Sequence, residues 1–252
     1  MNPDSNTTAK TAIVTGGASG LGYAIAQKFV QQNIRTIIIG RNEEKLQAAK
    51  EAFGELCSYI VFDLTNLPQI PELVTDIVEK YGRIDILVNN AGINMKKPFE
   101  EVTDEEFQRI LLTNVTSVFA LSREVVKTML PHGSGAIVNI SSMAAQYGIP
   151  KVIAYTASKT AIEGMTRAMA VDLSPQGIRV NCVAPGFIAT DMSAKALNND
   201  PERKNRVLSR TPMGKLGVPA DVAEAVYFYA TDGAKYVTGT VLPVDGGNSI
   251  GF

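Results

Sequence analysis

The amino-acid sequence predicts an α/β fold: a single doubly wound parallel sheet of about seven strands with helices on both faces. Three observations carry that expectation. Short runs of β-branched and aliphatic residues alternate with longer amphipathic runs along the chain. The short runs are apolar nearly throughout rather than at every second residue, as strands covered on both faces must be. A glycine-rich stretch, Thr15–Gly22, follows the first strand-like run and opens the first helical one.

In order along the chain, Thr11–Thr15 reads as a strand and Leu21–Gln32 as a helix. Arg35–Ile39 is a β-branched second strand, and Asn42–Phe53 a helix with Asn42 as N-cap and Glu43 and Glu44 in its first turn. Ser58–Phe62 is a strand, Leu67–Tyr81 a helix and Ile84–Val88 a strand. Asp104–Leu130 is a long helical stretch, Ala136–Ile140 a strand and Val152–Leu173 a helix. Ile178–Val183, the helix Ala220–Ala230 and the short strand Thr240–Val244 close the pattern. No repeat or Pro/Gly/Ser-rich linker interrupts it, so residues 1–252 are expected to form a single domain. The stretch 189–219 breaks the alternation, is polar, and contains Asn198-Asn199-Asp200-Pro201; it is expected to be a substrate-side flap inserted in that domain.

Composition excludes several functions. With 24 Lys+Arg against 25 Asp+Glu there is no basic excess to coat a phosphate backbone, so no nucleic-acid partner is expected. Two cysteines, Cys57 and Cys182, and one histidine, His132, make neither a disulfide framework nor a metal site, so the metal expected is none. No apolar run approaches the roughly 18 residues of a membrane span, and Met1–Lys10 lacks the apolar stretch of a signal peptide. The expectation is a cytoplasmic protein with no membrane partner.

The chemistry begins in the glycine loop. Gly16, Gly20 and Gly22 let the chain turn tightly and let a pyrophosphate approach the helix N-terminus, where free N–H groups and a partial positive charge await it. Their spacing is GxxxGxG rather than GxGxxG. In dinucleotide folds an acid at the tip of the second strand holds the ribose 2′-hydroxyl. Here the tip is Ile39-Gly40-Arg41-Asn42, with no acid and with Arg41 placed to pair with a 2′-phosphate. NADP(H) is therefore preferred, with NAD(H) left open. Further on, Tyr155-Thr156-Ala157-Ser158-Lys159 puts Tyr155 and Lys159 four apart on one helix face. A nearby ammonium favours a phenolate, so the pair can act as general acid or base beside a nicotinamide. Ser141 and Ser142 follow a strand's C-terminal end, where such folds bind ligands, and Ser141 is expected to cap the turn.

Together these motifs resemble the short-chain dehydrogenase/reductase family, from Thr11 to Gly247. The matching pieces are Thr15–Gly22, Asp63-Leu64, Asn89-Asn90-Ala91-Gly92, then Asn114, Ser142, Tyr155 and Lys159 in order, Pro185-Gly186, and Val244-Asp245-Gly246-Gly247. Ser142 stands 13 residues before Tyr155, the family's register for its serine. The resemblance implies Tyr155 as general acid or base, and Lys159 lowering the Tyr155 pKa and binding the nicotinamide ribose. It implies Ser142 on the substrate carbonyl, and Asn114 kinking its helix and holding a water of a proton relay. For the cofactor it implies Gly16, Ser19, Gly20, Leu21 and Gly22 at the pyrophosphate, and Asp63 and Leu64 beside the adenine. Asn90, with Ala91 and Gly92, would meet the adenine ribose, and Pro185, Gly186, Ile188 and Thr190 the nicotinamide. Ser19 stands where many NADP-preferring relatives carry Arg or Lys, so Arg41 carries that preference. Met143, Gln146, Tyr147 and Met192 fall where the family lines its substrate cleft.

The expected function is interconversion of a ketone and a secondary alcohol. The substrate is a small ketone, polyol or sugar acid, as in gluconate 5-dehydrogenase-like members. Ala154-Tyr155-Thr156-Ala157, Ala189-Thr190-Asp191-Met192 and Arg210-Thr211-Pro212 resemble that branch. A 3-oxoacyl-acyl-carrier-protein reductase is the alternative, which Gly186–Met192 also resembles. It is disfavoured by Gly133 and Gln176, where docking arginines would fall; Lys151 and Arg179 read as scattered surface cations. A nucleotide-sensing binding protein without turnover is the alternative of another class. Like many members, the chain is expected to form a homotetramer, through Asp104–Leu130, Val152–Leu173 and the last strand, with the tail Ile250-Gly251-Phe252 across an interface.

Overall fold

The structure, a computed structural model, describes residues 9–190 and 201–251. Seven parallel strands form one sheet in the order β3-β2-β1-β4-β5-β6-β7. They are β1 (Thr11–Thr15), β2 (Arg35–Gly40), β3 (Cys57–Val61), β4 (Ile86–Asn89), β5 (Gly135–Ile140), β6 (Ile178–Pro185) and β7 (Val241–Val244). The helices are α1 (Gly20–Gln31), α2 (Glu43–Phe53), α3 (Ile70–Tyr81), α4 (Asp104–Leu111), α5 (Ser117–Met129), α6 (Ile153–Leu173), α7 (Pro201–Arg210) and α8 (Pro219–Ala230). The doubly wound fold predicted from the alternation is the fold observed.

Alternate residues of each strand serve opposite faces. Ala12 and Val14 of β1 pack with Ile25 and Phe29 of α1 and Val222 and Val226 of α8. Ile13, between them, faces Ile70, Val74 and Ile77 of α3 and Leu121 and Val125 of α5. That two-sided burial is why the strands read as continuous apolar runs. Strand order reverses between β1 and β4, so the loops leaving these two strands diverge and open a crevice at the sheet's C-terminal edge.

Several boundaries moved for identifiable reasons. Helix α1 begins at Gly20, one residue before the expected Leu21. The run 67–81 splits into a 3₁₀ turn, Leu67–Gln69, and α3, each with a proline in its first turn. The stretch 104–130 is broken between α4 and α5 by a π-helical turn, Leu112–Thr116. Within 189–219 the structure holds α7, which the polar pattern hid; Pro201 starts it, as proline favours a first helical turn. Asn42 does cap α2, its Oδ1 accepting from the Lys45 amide at 2.8 Å.

A buried polar chain crosses the sheet under the crevice. Asn89 of β4 donates through Nδ2 to Ser122 Oγ on α5 and to Asn139 Oδ1 on β5, both at 2.9 Å. Asn139 Nδ2 then donates to Thr166 Oγ1 on α6 at 2.9 Å. Replacing Asn139→Ala removes an acceptor from Asn89 and a donor to Thr166 and leaves a small void. The expected loss is about 2–4 kcal/mol, read from the shift in a urea unfolding curve.

Candidate active site

The loop after β1 is closed around its own backbone. Gly16 has φ +67°, and a Cβ on Gly22 would collide with the Gly16 carbonyl oxygen. Only glycine lets the start of α1 come this close to the strand end, and the first amides of α1 have no carbonyl partner within the helix. Thr15 Oγ1 ties this loop to the one after β4 by accepting from the amides of Asn90 and Ala91, each at 3.0 Å. The Asn90 side-chain amide donates to the Thr15 and Gly16 carbonyls at 2.9 and 3.4 Å. It holds the cradle in shape. Ser19 is exposed at the N-cap with no cap bond of its own, so its hydroxyl is open to a ligand. A pyrophosphate fits this closed loop with its outward amides.

At the tips of β2 and β3, Arg41 is exposed and 3.8 Å from the Asp63 carboxylate. Asp63 Oδ1 accepts from the Thr65 amide and hydroxyl at 2.9 and 2.8 Å, and these bonds, with Arg41 in a lesser part, hold its pKa down. Leu64 packs against the core beside it.

The reactive side chains converge on the other side of the crevice. The β5 strand ends at Ile140, and Ser142 begins a 3₁₀ turn, Met143–Ala145, its Oγ accepting from the Ala144 amide at 3.1 Å. Ser142 is thus the turn-capping serine, a role expected of Ser141. Ser141 is buried, and its hydroxyl bridges to α6, against the Lys159 carbonyl at 3.2 Å and Glu163 Oε1 at 2.9 Å. Tyr155 and Lys159 do share a face of α6. Lys159 Nζ lies 5.6 Å from the Tyr155 ring centroid and donates to the Ile140 carbonyl at 2.7 Å.

Burial raises the Tyr155 pKa, and the Ser142 hydroxyl pulls the other way. The ammonium lies against the ring and points to a carbonyl, away from a direct bond to the phenol. Burial instead loosens the proton of Lys159 itself, whose pKa falls from 10.5 to about 8.

Asn114 lies in the π turn and is buried. It accepts from the Ile93 amide and donates to the Ile93 carbonyl, both at 2.8 Å, and donates to Ser158 Oγ at 3.0 Å. The turn widens the helix where this amide must face inward. A Cβ on Gly92 would lie 3.3 Å from Asn114 Oδ1 and 3.6 Å from Lys159 Nζ, so the three meet at one point. Beyond β6, Ala189 donates to the Gly217 carbonyl at 2.8 Å and Gly217 to the Phe187 carbonyl at 3.1 Å. This strap holds residues 187–189, next to Pro185 and Gly186 at the end of β6.

A pocket of about 170 Å³ gathers these parts; its walls include Ser142, Tyr155, Tyr147, Pro185 and Gly186. Sequence reasoning missed Asn94, Ile149, Val152 and Phe187, which also line it. Phe187 lies between residues that were singled out; the other three lie in loops or at a helix start, without a periodic signal. Gln146, expected at the substrate, is exposed just past the 3₁₀ turn and lines no part of this pocket, whereas Met143 and Ala144 within the turn do. Met192 lies outside the described residues.

Comparison with known proteins decides the family. The family model described as enoyl-(acyl carrier protein) reductase, one of the short-chain dehydrogenase/reductase models, matches residues 16–249. The chain belongs to the short-chain dehydrogenase/reductase family. It is therefore a nicotinamide-dependent oxidoreductase, and the reading as a binder without turnover is set aside. It is 40% identical to a 3-oxoacyl-acyl-carrier-protein reductase of Chlamydia trachomatis, over 94% of this chain and 96% of that one. It is 41% identical to a 3alpha-hydroxysteroid dehydrogenase of Mediterraneibacter gnavus, over 94% and 96%. A solved structure from Beutenbergia cavernae, described as an NAD(P)-dependent gluconate 5-dehydrogenase with NADP bound at low occupancy, superposes with TM-score 0.88 at 38% identity, over 96% and 97%.

The lowered Lys159 pKa has a measurable consequence. Below about 8 the folded and unfolded states both hold the proton and the burial penalty is fully present. Between about 8 and 10.5 the unfolded state binds more protons, so this residue's contribution to stability rises with pH. The stability difference between wild type and Lys159→Met, measured by urea unfolding, should shift in favour of wild type by up to about 3 kcal/mol across that window.

Proposed function

We propose that the chain interconverts a ketone and its secondary alcohol with NADP(H), on a small ketone, polyol or sugar acid. The observation that carries this reading is the sharing of one pocket by Ser142 and Tyr155, with Lys159 buried behind the Tyr155 ring. In the reductive direction Ser142 donates a hydrogen bond to the carbonyl oxygen and steadies the charge that develops there. The nicotinamide, when bound, supplies the hydride to the carbonyl carbon. Tyr155 gives its hydroxyl proton to the oxygen, and the Ser142 hydroxyl beside it favours the phenolate so formed, against the pull of burial. Lys159 offsets the charge left on the phenolate and sits where it can reach the nicotinamide ribose. Asn114 fixes the backbone at Ile93 and the Gly92–Lys159 junction through which a proton would return. Gly16, Ser19, Gly20, Leu21 and Gly22 hold the pyrophosphate, with Asp63, Leu64, Asn90 and Ala91 on the adenosine side and Pro185, Gly186, Ile188 and Thr190 on the nicotinamide side.

Arg41 supports the NADP(H) preference, since it is exposed at the β2 tip with no acid in the ribose position. The segment 189–219 supplies the substrate-side wall through α7. The assembly we favour is a homotetramer built on α5 and α6, supported by Phe119 and Val171, which are 49% and 76% exposed there. A cytoplasmic location fits the free, buried thiols of Cys57 and Cys182.

The identity with the Chlamydia protein favours a second reading, reduction of an acyl-carrier-protein thioester. Gly133 and Gln176 weigh against it, and Arg179 is engaged, donating to the Tyr229 and Thr231 carbonyls at 2.8 and 3.2 Å. An acidic carrier would have to dock without these cations.

The test follows nicotinamide absorbance with NADPH and NADH against ketoses, keto sugar acids, diketones, β-ketoesters and an acyl-thioester mimic. Tyr155→Phe is expected to lower kcat by about 10²–10⁴-fold while cofactor still binds. Activity surviving in Tyr155→Phe would contradict the assignment. Arg41→Ala is expected to weaken NADPH binding by about tenfold and leave NADH binding nearly unchanged, read by nicotinamide fluorescence. Equal losses for both cofactors would remove Arg41 as the phosphate reader.

A further inference from the structure

The pocket holding Ser142 and Tyr155 continues outward into a larger chamber of about 410 Å³, and Tyr147, Ile149 and Phe187 line both. The two chambers differ in charge. Among the described residues the outer one is lined by Lys96, Lys151, Arg206 and Arg210 against one carboxylate, Glu202. None of these four cations is in an ion pair among the described residues.

The cations are mounted on fixed supports. Arg206 and Arg210 are four apart on α7 and so share a face. Arg210 Nε donates to the Asn248 carbonyl at 3.0 Å, and its guanidinium lies 5.2 Å from the Tyr147 ring centroid. The Tyr147 hydroxyl in turn donates to Asn248 Oδ1 at 3.0 Å. Opposite, Lys151 has φ +67°, a strained backbone for a residue with a side chain, and its carbonyl accepts from the Lys97 amide at 2.8 Å. That bond joins the two loops that carry Lys96 and Lys151. Like charges gathered around a concave wall repel one another, raise the local potential and draw an anion in.

We propose that the outer chamber is an anion subsite: the substrate is a small organic acid whose carboxylate or phosphate ester lies on the far side of Tyr147 from its reacting carbon. The proposal rests on the reading of the inner chamber as the reactive site and narrows its substrate to charged members of that class. The inner chamber takes the carbonyl carbon and its neighbours. The Tyr147 ring spans the middle, and the guanidinium forks of Arg206 and Arg210 meet the acid.

The experiment uses substrate pairs that differ only in charge, levulinate with methyl levulinate and a ketogluconate with its methyl ester, reduced with NADPH. Arg206→Glu is expected to lower the acid-to-ester ratio of kcat/KM by at least about tenfold, and Lys151→Gln to lower it by less. An unchanged ratio would overturn the proposal. A 3-oxoacyl phosphopantetheine thioester carries the same kind of charge on another molecule, and a loss confined to it would overturn the proposal in favour of a carrier substrate. Binding is read separately, by calorimetric titration of the enzyme–NADP⁺ complex with the same acids. Saturable binding that Arg206→Glu weakens by about tenfold supports the subsite even where no carbonyl is reduced, an outcome that would sink the catalytic reading alone. Acid binding that is absent, or indifferent to Arg206→Glu, would overturn it.

Discussion

The fastening of helix α6 to the end of strand β5 is the constraint on which the site depends. Three buried side chains make it: Asn139 bonds Thr166, Ser141 bonds Glu163 and the Lys159 carbonyl, and Lys159 Nζ bonds the Ile140 carbonyl. Each costs little when satisfied and much when broken, because the low-dielectric interior penalises any polar group left alone. Ser142 follows β5 and Tyr155 rides on α6, so the register between these two elements sets the distance between the two hydroxyls. The third contact uses the buried Lys159 ammonium, which makes a structural tie of the same residue that backs the phenol.

The rest of the crevice is braced in the same way. Asn114 reaches from the π turn to Ile93 and Ser158, linking the loop after β4 to α6. Thr15 and Asn90 link the glycine loop to that same loop. The cofactor cradle and the reactive pocket are therefore parts of one hydrogen-bonded frame that extends from β1 to α6. The outer wall differs in kind: α7 carries Arg206 and Arg210, charges that would choose a substrate.

Much of this was legible in the sequence, for physical reasons. Two-sided burial makes the strands read as apolar runs, and glycines that tolerate no Cβ mark the loop at Gly16 and Gly22. The i, i+4 relation of Tyr155 and Lys159 follows from helix geometry alone. What escaped depended on contacts distant in sequence. Nothing local distinguishes Ser141, which turns to α6, from Ser142, which caps the next turn. The spacing of Tyr155 and Lys159 says they are near, but not that the ammonium points at Ile140. Lys151 read as one scattered cation until the fold set it in a chamber with Lys96, Arg206 and Arg210. Helix α7 was hidden because its face is polar and its start, Pro201, also ends a loop-like Asn-Asn-Asp run.

The central claim is that one pocket passes a hydride from the nicotinamide to a carbonyl carbon while the protein handles only the proton. The most direct measurement is a mass analysis of the alcohol formed from a keto sugar acid with NADPH that carries deuterium at both positions of the transferring carbon. The account predicts one deuterium on the carbinol carbon and none lost to water. Unlabelled alcohol, or deuterium released to solvent, would contradict it.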